Sequence, residues 1–429
     1  MASARLASLP APLFSGYCIA AAFLTYFSMY AFRKPFTATT YEEHELWGIA
    51  LKTILLTSQV LGYCCSKFLG IKWVSEARPD SRAVMILLLI AISELALIGF
   101  AVLPLEAKFI CLFLNGLPLG MVFGLVLGFL EGRRFTELLT AGLCSSFIVS
   151  SGVVKSVGSG LIEHAQVAEF WMPALTGIIF VPPLLLGVWM LHQIPPPTQQ
   201  DELLRSRRPP SFLADRRRVI QRHRFGLSML VISYVMLTVL RSFRDDFAVE
   251  IWEALGTRGK PAIFTVSETV VMLLVTIING AAFLVHDNRR AFYTALFAIA
   301  GGFATTMAVS VLFLAGSLSS LSFMVGLGVG MYVPYVAYHT TLFERMIAVF
   351  RERTNLAHLM YVADSFGYLG YILILFLRHF ATGPSSFLQW MVYGTLLLGG
   401  MALILTTFSM IYFYKQMQGL PLGEPTTSA

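Results

Sequence analysis

Residues 194–224, "IPPPTQQDELLRSRRPPSFLADRRRVIQRHR", form the longest polar interruption in a chain of 429 residues. The stretch holds eight arginines, three acidic residues and two clusters of prolines. Six long apolar runs precede it and six follow it, which predicts a linker between two halves of similar construction. We therefore expect an N-terminal half at 1–193, a C-terminal half at 225–415 and a tail at 416–429.

The apolar runs decide the fold class. The chain is 56% apolar and only 13% charged, whereas soluble proteins carry about 25% charged residues. The runs are long enough to cross a bilayer core, and they are continuous rather than alternating, so they predict helices and not barrel strands. We expect an all-α polytopic membrane protein with twelve spans, near 12–38, 47–69, 84–104, 107–130, 138–162, 170–192, 225–247, 261–285, 291–315, 320–343, 354–377 and 386–414.

The basic residues are distributed unevenly between the two sides of the predicted membrane. If both termini and every second loop share one side, that side holds 21 of the 31 lysines and arginines. This bias predicts that both termini and the linker lie in the cytoplasm, as for a protein of the inner membrane. The formal net charge of +7 then reflects topology, and we expect no nucleic-acid partner.

The first apolar run and the cysteines have plain interpretations. The run has only Arg5 before it and continues into tyrosines and Arg33, so we expect a retained span rather than a cleaved signal peptide. The cysteines are odd in number, lie within apolar runs and show no metal-ligand spacing, which predicts small buried side chains. They are Cys18, Cys64, Cys65, Cys111 and Cys144.

Ionisable residues within the spans are the strongest functional signal. A lysine or arginine at the centre of a membrane helix costs about 2.5–3.5 kcal/mol on insertion scales. Lys155 lies deep in "SSGVVKSVGSG" and either faces a substrate or forms an ion pair with Glu94 or Asp364. The other cations within or beside spans are Arg33, Lys34, Lys52, Lys67 and Arg241, of which Lys52 suits an anchor at the outer end of its span, and Glu268 is a further acid.

Two stripes of hydroxyl groups lead to an arginine. Tyr26, Tyr30 and Arg33 follow one helical face at i, i+4 and i+7, and Tyr234, Thr238 and Arg241 repeat the pattern in the seventh span. Each stripe suits the wall of a polar cavity, although an aromatic belt with a snorkelling arginine would look the same. For Arg241 an ion pair with Asp245, one turn further on, is the other interpretation.

The signs of these charges do not balance. Five cations can face the interior against three or four acids, and an unneutralised positive cavity predicts an anionic ligand. Arginine supplies a fork that fits phosphate or carboxylate oxygens, whereas lysine acts as a point charge. His339, in "YVPYVAYHTTLFER", and Asp364, in "MYVADSFGYLG", are additional candidates for the cavity wall or for helix packing.

Two parallel six-helix repeats joined by a basic linker resemble the major facilitator superfamily, whose substrate site lies between the halves. "YAFRKPF", residues 30–36, is similar to a signature in the first span of the organophosphate:phosphate antiporters of that superfamily. "SKF" at 66–68, "VLRSFRDDF" at 239–247 and "FGYLG" at 366–370 are similar to further strings of that family. The chain resembles uncharacterised bacterial relatives more closely still.

The resemblance implies roles for individual residues. Arg33 and Arg241 would hold phosphate, while Lys34, Lys67 and Lys155 would raise the local potential. In the fifth span the family has a histidine where "KSVGSG", residues 155–160, places Lys155. A fixed lysine lacks the titration of histidine near neutral pH.

These observations predict a secondary active transporter for a small organic anion, an organophosphate exchanged for inorganic phosphate by alternating access. A proton-coupled anion transporter and a membrane sensor that binds the solute without moving it are the alternatives. We find no nucleophile arrangement or metal spacing that would predict an enzyme, and we expect no cofactor and a monomer in the bilayer. The predicted substrate-binding residues are Arg33, Lys34, Lys67, Lys155, Arg241, Tyr26, Tyr30, Tyr234, His339 and Asp364.

Overall fold

The computed structural model is all-α apart from one hairpin of two-residue strands, in which β1 (Glu45–Leu46) pairs antiparallel with β2 (Ile49–Ala50). It describes Leu6 and residues 9–75, 78–131, 133, 136–196, 213–257, 260–282, 284–285, 287–350, 352, 356–380 and 386–418. The predicted tail at 416–429 and the middle of the predicted linker, 197–212, thus lie largely outside the described residues. The domain boundaries at 194–224 stay a prediction.

The first half contains the six predicted spans. They are span 1 (Ala11–Met29, extended by a 3-10 turn at Tyr30–Phe32), span 2 (Leu51–Ser75), span 3 (Arg82–Val102), span 4 (Lys108–Leu130), span 5 (Thr136–Glu163) and span 6 (Met172–Ile179 with Val181–His192). Short 3-10 turns at Pro35–Ala38, Pro79–Ser81 and Leu105–Ala107 lie in the connections.

The second half follows a helix at Leu213–Arg222 in the linker region. Its spans are span 7 (Arg224–Asp246), span 8 (Ala262–Ala282), span 9 (Asn288–Leu314), span 10 (Ser320–Ala337), span 11 (Leu356–Phe380) and span 12 (Phe387–Gln418). A short helix, Ala248–Ala254, connects spans 7 and 8, and a π-helical turn at Tyr338–Leu342 leads from span 10 into a helix at Phe343–Phe350.

The number of spans agrees with the sequence prediction. Within the described residues nine helices are long and apolar enough to cross a membrane, and they correspond to spans 1, 3, 4, 5, 7, 8, 9, 10 and 12. Span 6 is a tenth, bent by 44°, because Pro182 and Pro183 follow the bend and cannot continue the hydrogen bonding of the preceding helix. Spans 2 and 11, helices of 25 residues each, are not among these ten, and we assign them as spans from their positions in the repeat.

The two halves pack in the same way. Span 1 packs against spans 4, 5 and 6, and span 4 against spans 2 and 3; in the second half span 7 packs against spans 10, 11 and 12, and span 10 against spans 8 and 9. Adding six to each span number converts one set into the other, as a pseudo-symmetric repeat requires. Following the predicted orientation, we call the side where the odd-numbered spans begin the inner side, and the opposite side the outer side.

Two helix pairs make the most extensive contacts between the halves: span 2 packs on span 11, and span 5 packs on span 8. Gly152 permits the second contact, because a Cβ there would lie 2.4 Å from the Phe264 carbonyl oxygen. One turn further on, the Ser156 hydroxyl donates to the Pro261 carbonyl at 2.6 Å and accepts from the Thr265 hydroxyl at 2.7 Å. The halves are therefore in direct contact along both pairs.

Span 1 is shorter than the sequence indicated. The predicted run extended to residue 38, but the α-helix ends at Met29 and continues only as 3-10 turns. Pro35 provides the physical reason for the end of the helical hydrogen bonding: the Lys34 N–H still donates to the Tyr30 carbonyl at 2.9 Å, but Pro35 has no N–H to donate to the next carbonyl. The break places Arg33 and Lys34 inside the protein rather than on a regular helical face.

Candidate functional site

The end of span 1 is held by two buried amide side chains. The Asn115 side-chain N–H donates to the Phe32 carbonyl at 2.8 Å, and the Gln59 side-chain N–H donates to the Arg33 carbonyl at 2.7 Å. The same Gln59 nitrogen also donates to the Asn115 side-chain oxygen at 2.8 Å. The carbonyls at a helix end lack intrahelical partners, so these amides satisfy them and fix the position of Arg33.

Arg33 and Arg241 are buried without a carboxylate. Their side chains belong to residues that are 7% and 8% exposed, and within the described residues neither contacts an acidic group. The guanidinium carbon of Arg33 lies 4.0 Å from the centre of the Tyr63 ring, and that of Arg241 lies 4.3 Å from the centre of the Tyr335 ring. The Nε atom of each arginine has no hydrogen-bond partner among the described residues.

The two arginines line one cavity between the halves. The first half contributes Tyr30, Arg33, Lys34, Gln59 and Val60, and the second half contributes Arg241, Ser242, Asp246, Tyr368 and Tyr371. The free volume is about 10 Å³, which is room for about one water molecule. The cavity is closed in this structure, so a solute requires the halves to move apart.

On its outer side the cavity is bounded by an outer cluster of Lys34, Lys155, Asp245 and Asp246. The Lys34 Nζ lies 2.7 Å from Asp245 and 2.5 Å from Asp246, and the Lys155 Nζ lies 2.5 Å from the Asp245 carboxylate. The Ser151 hydroxyl also donates to Asp245. Both lysines belong to the first half and both aspartates to the second, so the cluster holds the halves together.

A second ion pair lies further out. Lys52 at the outer end of span 2 contacts Glu250 of the connecting helix at 2.6 Å, again between the halves. Burial raises the pKa of the Glu250 carboxyl, although the neighbouring Lys52 acts in the opposite direction. Since both side chains are almost fully buried, this pair extends the closed contact on the outer side.

On the inner side the halves meet through an inner cluster of Lys67, Tyr234, His339 and Asp364. The Lys67 Nζ of span 2 lies 3.3 Å from Asp364 of span 11, and the Tyr234 hydroxyl donates to Asp364 at 2.5 Å. The His339 Nε2 is 3.8 Å from the same carboxylate. This cluster is the inner counterpart of the outer cluster.

The predicted ion-pair partners are wrong in two cases. Lys155 binds Asp245, and not Glu94 or Asp364. Asp245 in turn binds Lys34 and Lys155 rather than Arg241, one turn away on the same helix. The reason is that the lysines of the other half bring compact ammonium groups onto Asp245, while the Arg241 side chain lies against Tyr335.

The ten predicted site residues are therefore divided among three places. Four line the closed cavity: Tyr30, Arg33, Lys34 and Arg241. Lys155 belongs to the outer cluster, and Lys67, Tyr234, His339 and Asp364 form the inner cluster. Tyr26 is buried next to the cavity, with its ring 5.7 Å from that of Tyr30 and 5.4 Å from that of Phe123.

The remaining acids within spans have other positions. Glu268 of span 8 binds Arg244 at 2.8 Å, and Arg244 also donates to the Met324 carbonyl at 2.8 Å. Both carboxylate oxygens of Glu94 are buried without a partner within the described residues. The same part of the chain contains no group of three or more His, Cys, Asp or Glu side chains that could hold a metal ion.

The net charge of the cavity and the two clusters is positive. Five cations, Arg33, Lys34, Lys67, Lys155 and Arg241, meet the three carboxylates of Asp245, Asp246 and Asp364. Every one of these carboxylates binds a lysine, so the two charges in excess are those of the two arginines. The predicted positive surplus is present, but it is confined to Arg33 and Arg241.

Several residues in and next to the cavity were missed by sequence reasoning. Gln59 and Asn115 are amides inside apolar helices, and that position was a usable signal, because buried amides must find hydrogen-bond partners. Tyr368 and Tyr371 lie three residues apart in "FGYLGY" and both reach the cavity. No sequence pattern marks Tyr63, because its contact with the Arg33 guanidinium forms only when the fold brings span 2 next to the end of span 1.

Comparisons with known proteins agree with this architecture. The profile of a family described as a family of unknown function, DUF5690, matches residues 35–416. No curated protein matches the sequence. Among solved structures the chain is similar to a D-xylose-proton symporter, with a TM-score of 0.59 and 14% identity over 92% of this chain and 96% of that one.

It is also similar to the nucleoside transporter NupG, with a TM-score of 0.61 and 13% identity over 93% of this chain and 99% of that one. At such low identity the likeness shows the fold alone. It confirms the predicted all-α polytopic membrane architecture of the major facilitator type.

Proposed function

The chain belongs to the DUF5690 family, and from its buried charges we propose that it is a secondary transporter of a small organic anion. The solute class we propose is an organophosphate, exchanged for inorganic phosphate. The observation that carries the proposal is the pair of buried arginines, one from each half, that share a cavity and have no carboxylate within the described residues.

Electrostatics favours an anion in this cavity. Burying a cation without a partner is costly, and the protein buries two beside one small space. A ligand with two negative charges, such as a phosphate monoester, would neutralise both guanidinium groups at once. Because all three neighbouring carboxylates already bind lysines, the arginines remain available to such a ligand.

The guanidinium groups favour ligands whose oxygens accept paired hydrogen bonds. Each guanidinium carbon lies close to a tyrosine ring, and the Nε of each arginine has no hydrogen-bond partner among the described residues. A phosphate or carboxylate can then accept two parallel hydrogen bonds from one arginine, a geometry that lysine cannot provide.

The contacts between the halves support alternating access. The outer cluster closes the cavity on one side, and the Lys67–Asp364 pair lies between the halves on the other. Each contact joins one half to the other, so each can break when the halves rotate. Since the closed cavity holds only about one water molecule, solute entry requires one of these contacts to open.

The free-energy cost of an empty binding site favours exchange of anions over one-way transport. When no anion is present, the two arginine charges repel one another in a poorly hydrated space. Closing the halves around that empty site is therefore unfavourable, and the loaded protein changes conformation more readily. A protein with this property swaps one anion for another in preference to returning empty.

The test is exchange of radiolabelled inorganic phosphate in proteoliposomes loaded with unlabelled phosphate. We expect Arg33→Gln and Arg241→Gln to weaken phosphate binding about 10- to 100-fold, as removal of hydrogen bonds to a charged group does. Arg33→Lys should recover part of the loss, because it restores the charge without the fork.

Arg378→Gln is the matched control. Arg378 also stacks on an aromatic ring, 3.6 Å from the centre of Phe387, but it does not line the cavity. Unchanged exchange in both Arg33→Gln and Arg241→Gln would reject the proposal. Phosphate binding without exchange would instead identify a membrane sensor.

A further inference from the structure

We propose that His339 and Asp364 form a proton-binding site whose occupancy loosens the contact between the halves on the inner side. The site lies in the inner cluster, separate from the two arginines that are proposed to hold the anion. The proposal rests on the proposed transport function, because the step it controls is the opening of the cavity.

The hydrogen bonds of His339 define where its proton lies. The His339 Nδ1 is 2.9 Å from the Tyr335 carbonyl oxygen, and a carbonyl can only accept a hydrogen bond. Nδ1 therefore carries the hydrogen in the neutral ring, and Nε2 is left as an acceptor. This acceptor nitrogen faces an Asp364 oxygen at 3.8 Å.

Two acceptors that face each other leave a place for one proton. The separation of 3.8 Å exceeds a hydrogen bond, as expected when no hydrogen lies between the atoms. A proton bound to Nε2 would turn the pair into a charge-assisted hydrogen bond, with a usual length of about 2.7–2.9 Å. His339 also lies in the π-helical turn Tyr338–Leu342, a local widening that is frequent at functional sites.

The Asp364 carboxylate connects this proton to the interface between the halves. It binds Lys67 of the first half at 3.3 Å and accepts a hydrogen bond from Tyr234 of its own half. The Lys67 Nζ binds Oδ2, whereas the Tyr234 hydroxyl and the His339 Nε2 face Oδ1. The positive charge of a protonated His339, which belongs to the same half as Asp364, would cancel the carboxylate charge that attracts Lys67 and would repel the Lys67 ammonium group. Protonation thus weakens the contact of Asp364 across the interface.

Charged groups from each neighbouring element act on His339. Asp364 of span 11 brings a negative charge towards the ring, while Lys67 of span 2 and Arg241 of span 7 bring positive charges. Tyr234 of span 7 and Tyr335 of span 10 face the ring with neutral hydroxyl-bearing side chains, and span 5 contributes the apolar ring of Phe147.

This arrangement links the proton to the anion. Arg241 and His339 contact the same side chain, since each lies 4.3 Å from the centre of the Tyr335 ring. An anion bound to Arg241 would cancel part of the repulsion that opposes a proton on His339. Linkage is reciprocal, so the proton should also strengthen binding of the anion.

The experiment measures the distance between the halves rather than transport. Spin labels at Glu131→Cys and Ala348→Cys report on the inner side, because both positions are exposed and belong to different halves. Cys65 is replaced by serine, since it is the native cysteine with partial exposure. Distances are recorded in lipid nanodiscs between about pH 5 and pH 8, the range in which histidine changes charge, with and without inorganic phosphate.

We expect the labelled protein to shift to longer distances as the pH falls, with a midpoint that rises when phosphate is present. His339→Gln should stay at the short distance throughout. Lys67→Gln, which keeps the histidine, should show the long distance already at the highest pH. His164→Gln, an exposed histidine on the outer side, is the control and should respond like the parent protein.

A pH response that survives in His339→Gln, or a short distance in Lys67→Gln at high pH, would overturn the proposal. The second variant decides the question even where the first fails to fold. Phosphate exchange without a pH-dependent distance would reject the proton site and leave the transport proposal standing. A pH-dependent distance without phosphate exchange would reject the transport proposal and leave the proton site standing.

Discussion

The buried lysines and arginines of this protein differ in what surrounds them. Lys34, Lys67 and Lys155 each contact a carboxylate of the other half, whereas Arg33 and Arg241 each lie on a tyrosine ring. An ammonium group is compact and strongly hydrated, so a carboxylate offsets the cost of burying it. A guanidinium is more weakly hydrated and tolerates an aromatic face, which leaves its donors for a ligand.

Glu94 provides a prediction about stability. Both of its carboxylate oxygens are buried without a partner within the described residues, and they press against Gly177, where a Cβ would lie 2.2 Å from Oε2. Glu94→Met replaces an unsatisfied polar group with an apolar one of similar size. We expect stabilisation of about 1–3 kcal/mol, measured as a higher unfolding temperature in detergent.

The control for this change is Glu106→Met, which alters an exposed acid in an outer connection and should leave the unfolding temperature nearly unchanged. Loss of stability in Glu94→Met would mean that the carboxylate is needed where it lies.

At this scale the sequence identified the important cations but not their partners. The cost of charge in a membrane marks Arg33, Lys155 and Arg241 without any structure. The pairing of Asp245 with two lysines of the other half could not be predicted, because spacing along a helix says nothing about the helix opposite. A partner within one turn, such as Arg241, looks better from the sequence alone.

The helices themselves were largely predictable. Long apolar runs mark the spans, and proline marks the two breaks that the structure shows after Phe32 and at Phe180. The apolar runs did not predict the residue at which the α-helix of span 1 ends. The tyrosines that precede Arg33 extend the apolar run, and the amide side chains of Gln59 and Asn115, which bind the carbonyls at this helix end, come from other spans.

The connection between the linker helix and span 7 predicts a dependence on pH. His223 is fully buried and its Nε2 lies 3.0 Å from Glu352. Burial, together with the nearby Arg222, holds the pKa of His223 below its usual value, although Glu352 acts in the opposite direction. The unfolded chain then takes up the proton more readily, so stability should fall as the pH drops through about 6.5.

His223→Gln should reduce this loss of stability, measured as the change in unfolding temperature between about pH 8 and pH 5. His192→Gln, at an exposed histidine near the end of span 6, should keep it. An equal loss in the parent protein and in His223→Gln would contradict the assignment.

Contacts between the halves lie on both sides of the central cavity in this structure. The outer cluster, the Lys52–Glu250 pair and the Lys67–Asp364 pair all join one half to the other. Span 5 and span 8 are in close contact near Gly152, and span 2 packs on span 11. The repeat relates these two helix pairs, so the interface is built twice from corresponding spans.

Gly152→Ala tests the importance of this close contact. The added methyl group would meet the Phe264 carbonyl oxygen at 2.4 Å, so it should push span 5 away from span 8 and favour an open interface. We expect a cysteine at the buried position Ser159 to react several-fold faster with a membrane-impermeant thiol reagent. Gly160→Ala, in the same span with nothing within 4 Å of its Cβ, should leave the rate unchanged; equal rates in both variants would contradict the argument.

The two stacked guanidinium groups also have an electrical consequence. Arginine does not lose its proton in proteins, so no change of acidity can discharge this pair. Moving one full charge through a membrane voltage of 100 mV changes the free energy by about 2.3 kcal/mol. Without a bound anion, the two arginine charges therefore make the conformational change depend on voltage, in proportion to the part of the field that they cross. A bound anion with two negative charges neutralises the two arginines, so the exchange of two such anions should proceed at the same rate in a polarised and in a depolarised cell.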